Sequence, residues 1–258
     1  MQKDYRSLNA DAWDYESKHG NIWTDGCTPE QVEQARHGIL NMTFTPMEKV
    51  RPTWINPFLG KRVLALASGG GQQAVLLAAA GCDVTEFDIS PSQLAKDREM
   101  ANQYHLDLRT DKGDMQDLSC YEDGSFDLVY NPCSTCFVED VLRVYRECHR
   151  VLAPGGYLFT VATNPALYMF DEKKALKDRL KIKYTIPYSD VRSLSEKQKR
   201  KMEEKHDTFE FSHTLEELVG GICQAGFSIE DFYTGGSGKM AADSFLSDCF
   251  LAIKARKR

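Results

Sequence analysis

Short apolar runs alternate with amphipathic stretches from residue 63 to the end of the chain. Val63 to Ala67 and Val84 to Phe87 are continuous apolar runs with the length of strands buried on both faces. Leu106 to Arg109, Phe126 to Tyr130, Tyr157 to Ala162, Phe227 to Tyr233 and Phe245 to Ile253 read as five more strands. Between the first two lies Gln72 to Ala80, an Ala- and Leu-rich helix stopped by Gly81. Ser90-Pro91-Ser92-Gln93 is a capping signature for a helix running to about Tyr104. Val138 to Leu152 carries Val141, Leu142, Tyr145, Cys148, Val151 and Leu152 on one stripe. Thr214 and Glu217 form a capping box for Leu215 to Ala225, which Gly226 ends. Strands alternating with helices predict a mostly parallel sheet with helices on both faces. The last two strands are joined by the loop Gly235 to Gly238, which has no helical pattern, so they are expected to pair antiparallel.

Two regions fall outside this alternation. Residues 1–60 precede the first core strand and hold all three tryptophans, Trp13, Trp23 and Trp54. Asp11 to His19 reads as a short helix, and Thr28-Pro29-Glu30-Gln31 starts another that runs to about Asn41. The aromatic residues either cap a pocket or cover a sheet edge. Residues 164–210 are loosely patterned and highly charged, which marks an insertion. The expected organisation is one domain over 1–258: an N-terminal cap (1–60), a cofactor-binding core (61–163), an inserted lid (164–210), and a C-terminal helix and strands (211–258).

Composition narrows the function classes. The chain has 258 residues with a net charge of −6, so there is no overall basic footprint for nucleic acid. No apolar run reaches membrane-spanning length, and Met1 to Tyr5 lack the apolar core of a signal peptide. The eight cysteines show no disulfide-framework spacing. A cytoplasmic protein with free thiols is expected, with no nucleic-acid or membrane partner. The oligomeric state is not legible.

The chemistry concentrates between residues 62 and 88. Gly69-Gly70-Gly71 follows the first strand and precedes a helix, and the next strand ends on Asp88. Glycines let a ligand approach the backbone, and the helix start offers free N–H groups. An acid at the second strand's tip can accept from both hydroxyls of a ribose. This unit predicts an adenosine-containing cofactor. It also fits the dinucleotide pattern G-x-G-x-x-A, so an NAD(P)-dependent oxidoreductase is a rival.

Taken together, these residues resemble the class I S-adenosylmethionine-dependent methyltransferases of the small-molecule type. Val63 to Gly71 sits where that family has its glycine-rich motif. Asp88 matches its ribose-binding acid, and Asp114-Met115 the pair beside the adenine. Phe126-Asp127-Leu128-Val129 and Leu152-Ala153-Pro154-Gly155-Gly156 match its fourth strand and the turn into the fifth. Ser68 to Gln73, Pro187 to Asp190 and Phe211 to Thr214 are similar to segments of uncharacterised bacterial methyltransferases. The resemblance implies a Rossmann-like, seven-stranded, mostly parallel sheet and S-adenosyl-L-methionine as cofactor. It implies Ala67, Ser68, Gly69, Gly71, Gln73, Asp88, Ile89, Asp114, Met115 and Asn131 as cofactor-site residues. Two positions depart from the pattern: Ala65 stands where the family usually has an acid, and Ala67 where it usually has glycine.

For the acceptor, the expectation is a small-molecule nucleophile contacted by Trp23, Tyr188 and His213. His213 is the general-base candidate, because an imidazole titrates near working pH; a helix-flanking histidine bonded to backbone is the alternative. Cys133-Ser134-Thr135-Cys136 is a lone C-x-x-C, read as buried thiols rather than a metal site. A non-catalytic S-adenosylmethionine-binding protein is a second alternative.

Overall fold

The computed structural model describes residues 4–21, 23–170, 181–238 and 245–258. Seven strands form one sheet: β1 (Arg62–Leu66), β2 (Asp83–Asp88), β3 (Arg109–Lys112), β4 (Phe126–Asn131), β5 (Leu152–Thr163), β6 (Phe227–Gly235) and β7 (Phe250–Lys257). Their order is β3-β2-β1-β4-β5-β7-β6. The first five are parallel, and β7 lies antiparallel between β5 and β6. The helices of the alternating part are α4 (Gln73–Ala79), α5 (Pro91–Tyr104) and α6 (Val141–Val151). They are preceded by α1 (Tyr5–His19), α2 (Pro29–Arg36) and α3 (Pro52–Ile55).

The local signals act as expected. The Thr28 side chain accepts from the Gln31 N–H while Gln31 returns a bond to the Thr28 N–H. Ser90 caps α5 through the Gln93 N–H. Thr214 and Glu217 bond reciprocally, although the following turn, Glu216–Gly220, is a π-helix before α-helical Gly221–Gln224.

Two strands are displaced from their expected positions. β3 begins at Arg109 instead of Leu106, because Leu106 and Leu108 pack against the core as part of the connection. β7 begins at Phe250 instead of Phe245, and Phe245 is exposed. An apolar run marks burial or a strand, and pattern alone does not separate the two.

One hydrophobic core lies on each sheet face. On one face α2, α4 and residues 40–58 cover Val63, Ala65, Tyr130 and Phe159. On the other, α6 and the late helix cover Leu64, Leu66, Val129 and Leu158. Trp54 is fully buried on the first face against Phe44, Phe159 and Tyr233, so it serves as sheet cover. Trp13 and Trp23 instead line a cavity. The two readings of the N-terminal aromatics thus each hold for different tryptophans. Among the described residues no helix is long and apolar enough to cross a membrane. Much of the charged run Lys173 to Lys183 lies outside the described residues.

Candidate cofactor and acceptor site

The parallel strand order reverses at β1, whose neighbours are β2 and β4. Their carboxyl ends diverge there and open a crevice, the usual ligand position in such sheets. A cavity of about 1010 Å³ occupies it, at the top of the ~300–1,000 Å³ range of small-molecule sites.

One wall is the glycine loop. Ala67, Ser68, Gly69 and Gln73 line it beside Asp88 and Ile89 from the end of β2. A Cβ on Gly69 would stand 2.8 Å from the Gln93 Cβ and 3.2 Å from Asp88 Oδ2, so only glycine allows the carboxylate this close. Ala67 holds a left-handed φ of +50°, the conformation a glycine would adopt without strain. Asp88 is buried and accepts from the Ser90 N–H at 2.8 Å. Burial pushes its carboxyl up to about 6, and backbone hydrogen bonds from Ser90, Gly69 and Ile89 oppose that rise.

Behind this loop lie two acids that the sequence reading did not single out. Asp97 of α5 accepts from the Gly70 N–H at 3.0 Å and the Gly71 N–H at 2.9 Å. Glu86 of β2 accepts from the Ser68 N–H at 3.2 Å and the Ser68 hydroxyl at 2.9 Å. Glu86 is the register partner of Ala65. A carboxylate thus stands beside the Ala65 position from the adjacent strand, on the same sheet face, though Glu86 does not line the cavity.

The other walls come from distant parts of the chain. Asp114 and Met115 line the cavity after β3, with Asp114 paired to Arg6 of α1 at 3.0 Å. α1 crosses the opening with Tyr5, Asn9, Trp13 and Glu16. Its Asn9 exchanges hydrogen bonds with the Phe209 backbone at 2.7 and 3.0 Å. Its Asp14 accepts from Ser90 Oγ at 2.6 Å and the Ser92 N–H at 2.9 Å. Farther from Asp88 the wall is aromatic. Tyr168 and Tyr188 are stacked at 5.8 Å, and Tyr184 lies 4.6 Å from Tyr188. Tyr168 donates to Glu210 at 2.6 Å and Tyr188 to Asp190 at 2.5 Å.

Ten of the expected site residues thus meet on one cavity: Ala67, Ser68, Gly69, Gln73, Asp88, Ile89, Asp114, Met115, Trp23 and Tyr188. Three stand behind its wall. Gly71 is held by Asp97. Asn131 is buried and donates to the Leu66 carbonyl at 2.8 Å while accepting from Thr160, so it ties β4 to its neighbours. His213 is buried with Nε2 3.1 Å from the Thr135 carbonyl, which makes that nitrogen the donor. Burial holds the His213 imidazole below its usual range and favours the neutral ring. The geometry matches the backbone-bonded alternative, and His213 is not among the residues that line the cavity. The Cys133 and Cys136 thiols face the Phe44 and Cys133 carbonyls respectively.

The methyltransferase-domain family model matches residues 64–160. The chain is 42% identical over 225 residues to the uncharacterized methyltransferase YbaJ of Bacillus subtilis, covering 87% of this chain and 88% of that one. The chain belongs to the S-adenosylmethionine-dependent methyltransferase family. More distantly, it is 32% identical over 142 residues to a ubiquinone biosynthesis O-methyltransferase of Pseudomonas aeruginosa, spanning 49% of this chain and 58% of that protein. Its fold is similar to that of an S-adenosylmethionine-dependent methyltransferase from Mesorhizobium loti, with TM-score 0.57 at 20% identity over 78% of this chain and 92% of that one.

The cofactor is S-adenosylmethionine, and the residues present fit it. Asp88 suits a ribose, and the missing side chain at Gly69 leaves the loop backbone close beside that carboxylate at the cavity wall. The loop is badly suited to the rival dinucleotide. A pyrophosphate needs free loop N–H groups, but those of Gly70 and Gly71 already serve Asp97, and two buried acids would oppose its charge.

Proposed function

We propose that the protein transfers a methyl group from S-adenosylmethionine to a small-molecule nucleophile held in the cavity between the glycine loop and the tyrosine panel. When bound, the cofactor supplies a methyl group made electrophilic by its sulfonium. The chain's residues would do the rest. Asp88 and the glycine loop hold the adenosyl end, with Asp114 and Met115 beside the adenine. Asn131, His213 and Gly71 brace the wall from behind. Tyr188, Trp13, Trp23 and Phe44 favour an apolar, planar acceptor and exclude water. Where the acceptor carries a proton, Glu210, already oriented by Tyr168, is the cavity-wall carboxylate suited to take it.

The observation that carries this reading is continuity. The cofactor ledge and the aromatic wall line one cavity of about 1010 Å³, flanked by α1 and by residues 184–210. Such a space suits a compact acceptor better than a polymer. The distant O-methyltransferase relatives support oxygen as an accepting atom. The test incubates the protein with methyl-labelled S-adenosylmethionine and a cell extract separated by size. Label is expected in the low-mass fraction, and label confined to protein or nucleic acid would overturn the small-molecule reading.

A further inference from the structure

The helix Glu196–Lys205 turns one face to the cavity, where Gln198, Lys201, Met202 and Lys205 line the wall at helical spacing. Contacts with α1 seat it there. His206, its C-terminal cap, stacks on Tyr15 with ring centroids 4.0 Å apart and planes 8° apart. Farther along, Asn9 bonds to the Phe209 backbone, and Tyr5 meets Phe211 edge-on at 4.8 Å.

Lys201 and Lys205 stand four residues apart, so their ammoniums are neighbours on that face. Like charges at this spacing weaken a helix. Lys205 lies in the last turn, where the helix dipole favours a cation, but Lys201 lies outside it. Lys199 of the same helix is paired with Glu196 at 2.9 Å. Lys201 and Lys205 have neither an ion pair nor a hydrogen bond among the described residues. The other charges on the cavity wall are mostly committed. Arg6 holds Asp114, and Asn21 donates to Glu16 at 2.7 Å. Asp190 accepts from Tyr188 and from the Glu210 N–H, and Glu210 accepts from Tyr168. Lys183 lies over the Tyr184 ring at 4.6 Å. Asp207 also lines the wall and is exposed, but one acid does not balance two lysines. The charge left unmatched along this wall is positive, and the same cavity carries the tyrosine panel.

Resting on the small-molecule reading above, we propose that Lys201 and Lys205 are specificity-determining residues for the acceptor, and that the acceptor is an anion. Its planar body lies along the tyrosines, and a carboxylate or phosphate group sits on the two ammoniums. The lysines act on acceptor binding and touch neither the cofactor nor the transferred methyl. Because they are exposed, their attraction is screened by salt, and each contributes modestly.

The test supplies methyl-labelled S-adenosylmethionine and the low-mass fraction of a cell extract to the full chain, then passes the products over an anion exchanger at pH 8. The labelled product should be retained. Phosphatase treatment that abolishes retention identifies a phosphate, and unchanged retention a carboxylate. Replacing both lysines, Lys201→Gln with Lys205→Gln, should cut labelling about tenfold at limiting extract. The loss should shrink as extract is added, as for a weakened KM, while calorimetry finds the affinity for S-adenosylmethionine unchanged. Lys201→Arg with Lys205→Arg should restore labelling. A neutral or cationic labelled product would overturn the proposal and leave small-molecule methylation standing. So would a double glutamine variant that labels as well as the unaltered chain, or one that loses cofactor affinity in step with labelling. Absence of label from the low-mass products would overturn the small-molecule reading itself, and this proposal with it.

Discussion

Asp88→Ala lowers affinity for S-adenosylmethionine by about two orders of magnitude. Hydrogen bonds to a charged group contribute about 1.5–3 kcal/mol each, and a ribose offers two hydroxyls to this carboxylate, so a loss of about 3 kcal/mol is expected. The effect is on binding and not on folding, for a reason the burial supplies. The Asp88 carboxyl sits at about 6 in the folded chain, above its ordinary 3.8. A group raised on folding contributes stability that is fully present below about pH 4 and is lost as pH rises through about 6. At pH 8 the ligand-free protein therefore bears the cost of an ionised buried acid, and Asp88→Asn should melt no lower than the unaltered chain. Titration calorimetry checks the affinity and thermal melting at two pH values checks the sign. An Asp88→Asn variant that melts far lower at pH 8 would make this residue a structural anchor.

Trp54→Ala costs about 4 kcal/mol of folding stability, within the range for emptying a large buried aromatic site. The indole is 1% exposed and packs on Phe44, Phe159 and Tyr233, and its Nε1–H donates to Asp231 at 2.7 Å. The substitution leaves a void between the N-terminal segment and the sheet. It also deprives the Asp231 carboxylate, held below its ordinary range first by that indole and also by Arg51, of its main partner. Denaturant unfolding measures the loss; a change under 1 kcal/mol would show that residues 40–58 add little to the core. Trp13→Ala, by contrast, empties part of a cavity wall and should spare stability.

The contrast between these tryptophans shows where sequence reading reaches its limit. The sheet was legible because its strands are bounded by glycine, proline and capping residues whose effects are local. Thr28, Ser90 and Thr214 each make the bond their motif promised. The glycine loop and Asp88 were legible because backbone close approach leaves a glycine and a strand-tip acid leaves a carboxylate at fixed spacing. His213 and Asn131 carry the right chemistry at nearby sequence positions, yet only packing decides which side of a wall a side chain faces. Glu86 and Asp97 were missed because each is an isolated acid in an ordinary strand or helix. Their meaning arises from the β1–β2 register and the approach of α5, both products of long-range contact. The role of α1 as a roof was visible only in part: its helix was expected from Asp11, while the cavity-lining Tyr5, Arg6 and Asn9 belong to its first turns.

The most direct measurement is a crystal structure of the protein with S-adenosylhomocysteine. The account predicts both ribose hydroxyls within about 3.2 Å of the Asp88 carboxylate and the amino-acid end over Ser68 and Gly69. A ligand seated elsewhere, with Asp88 bonded only to its own backbone neighbours, would contradict it.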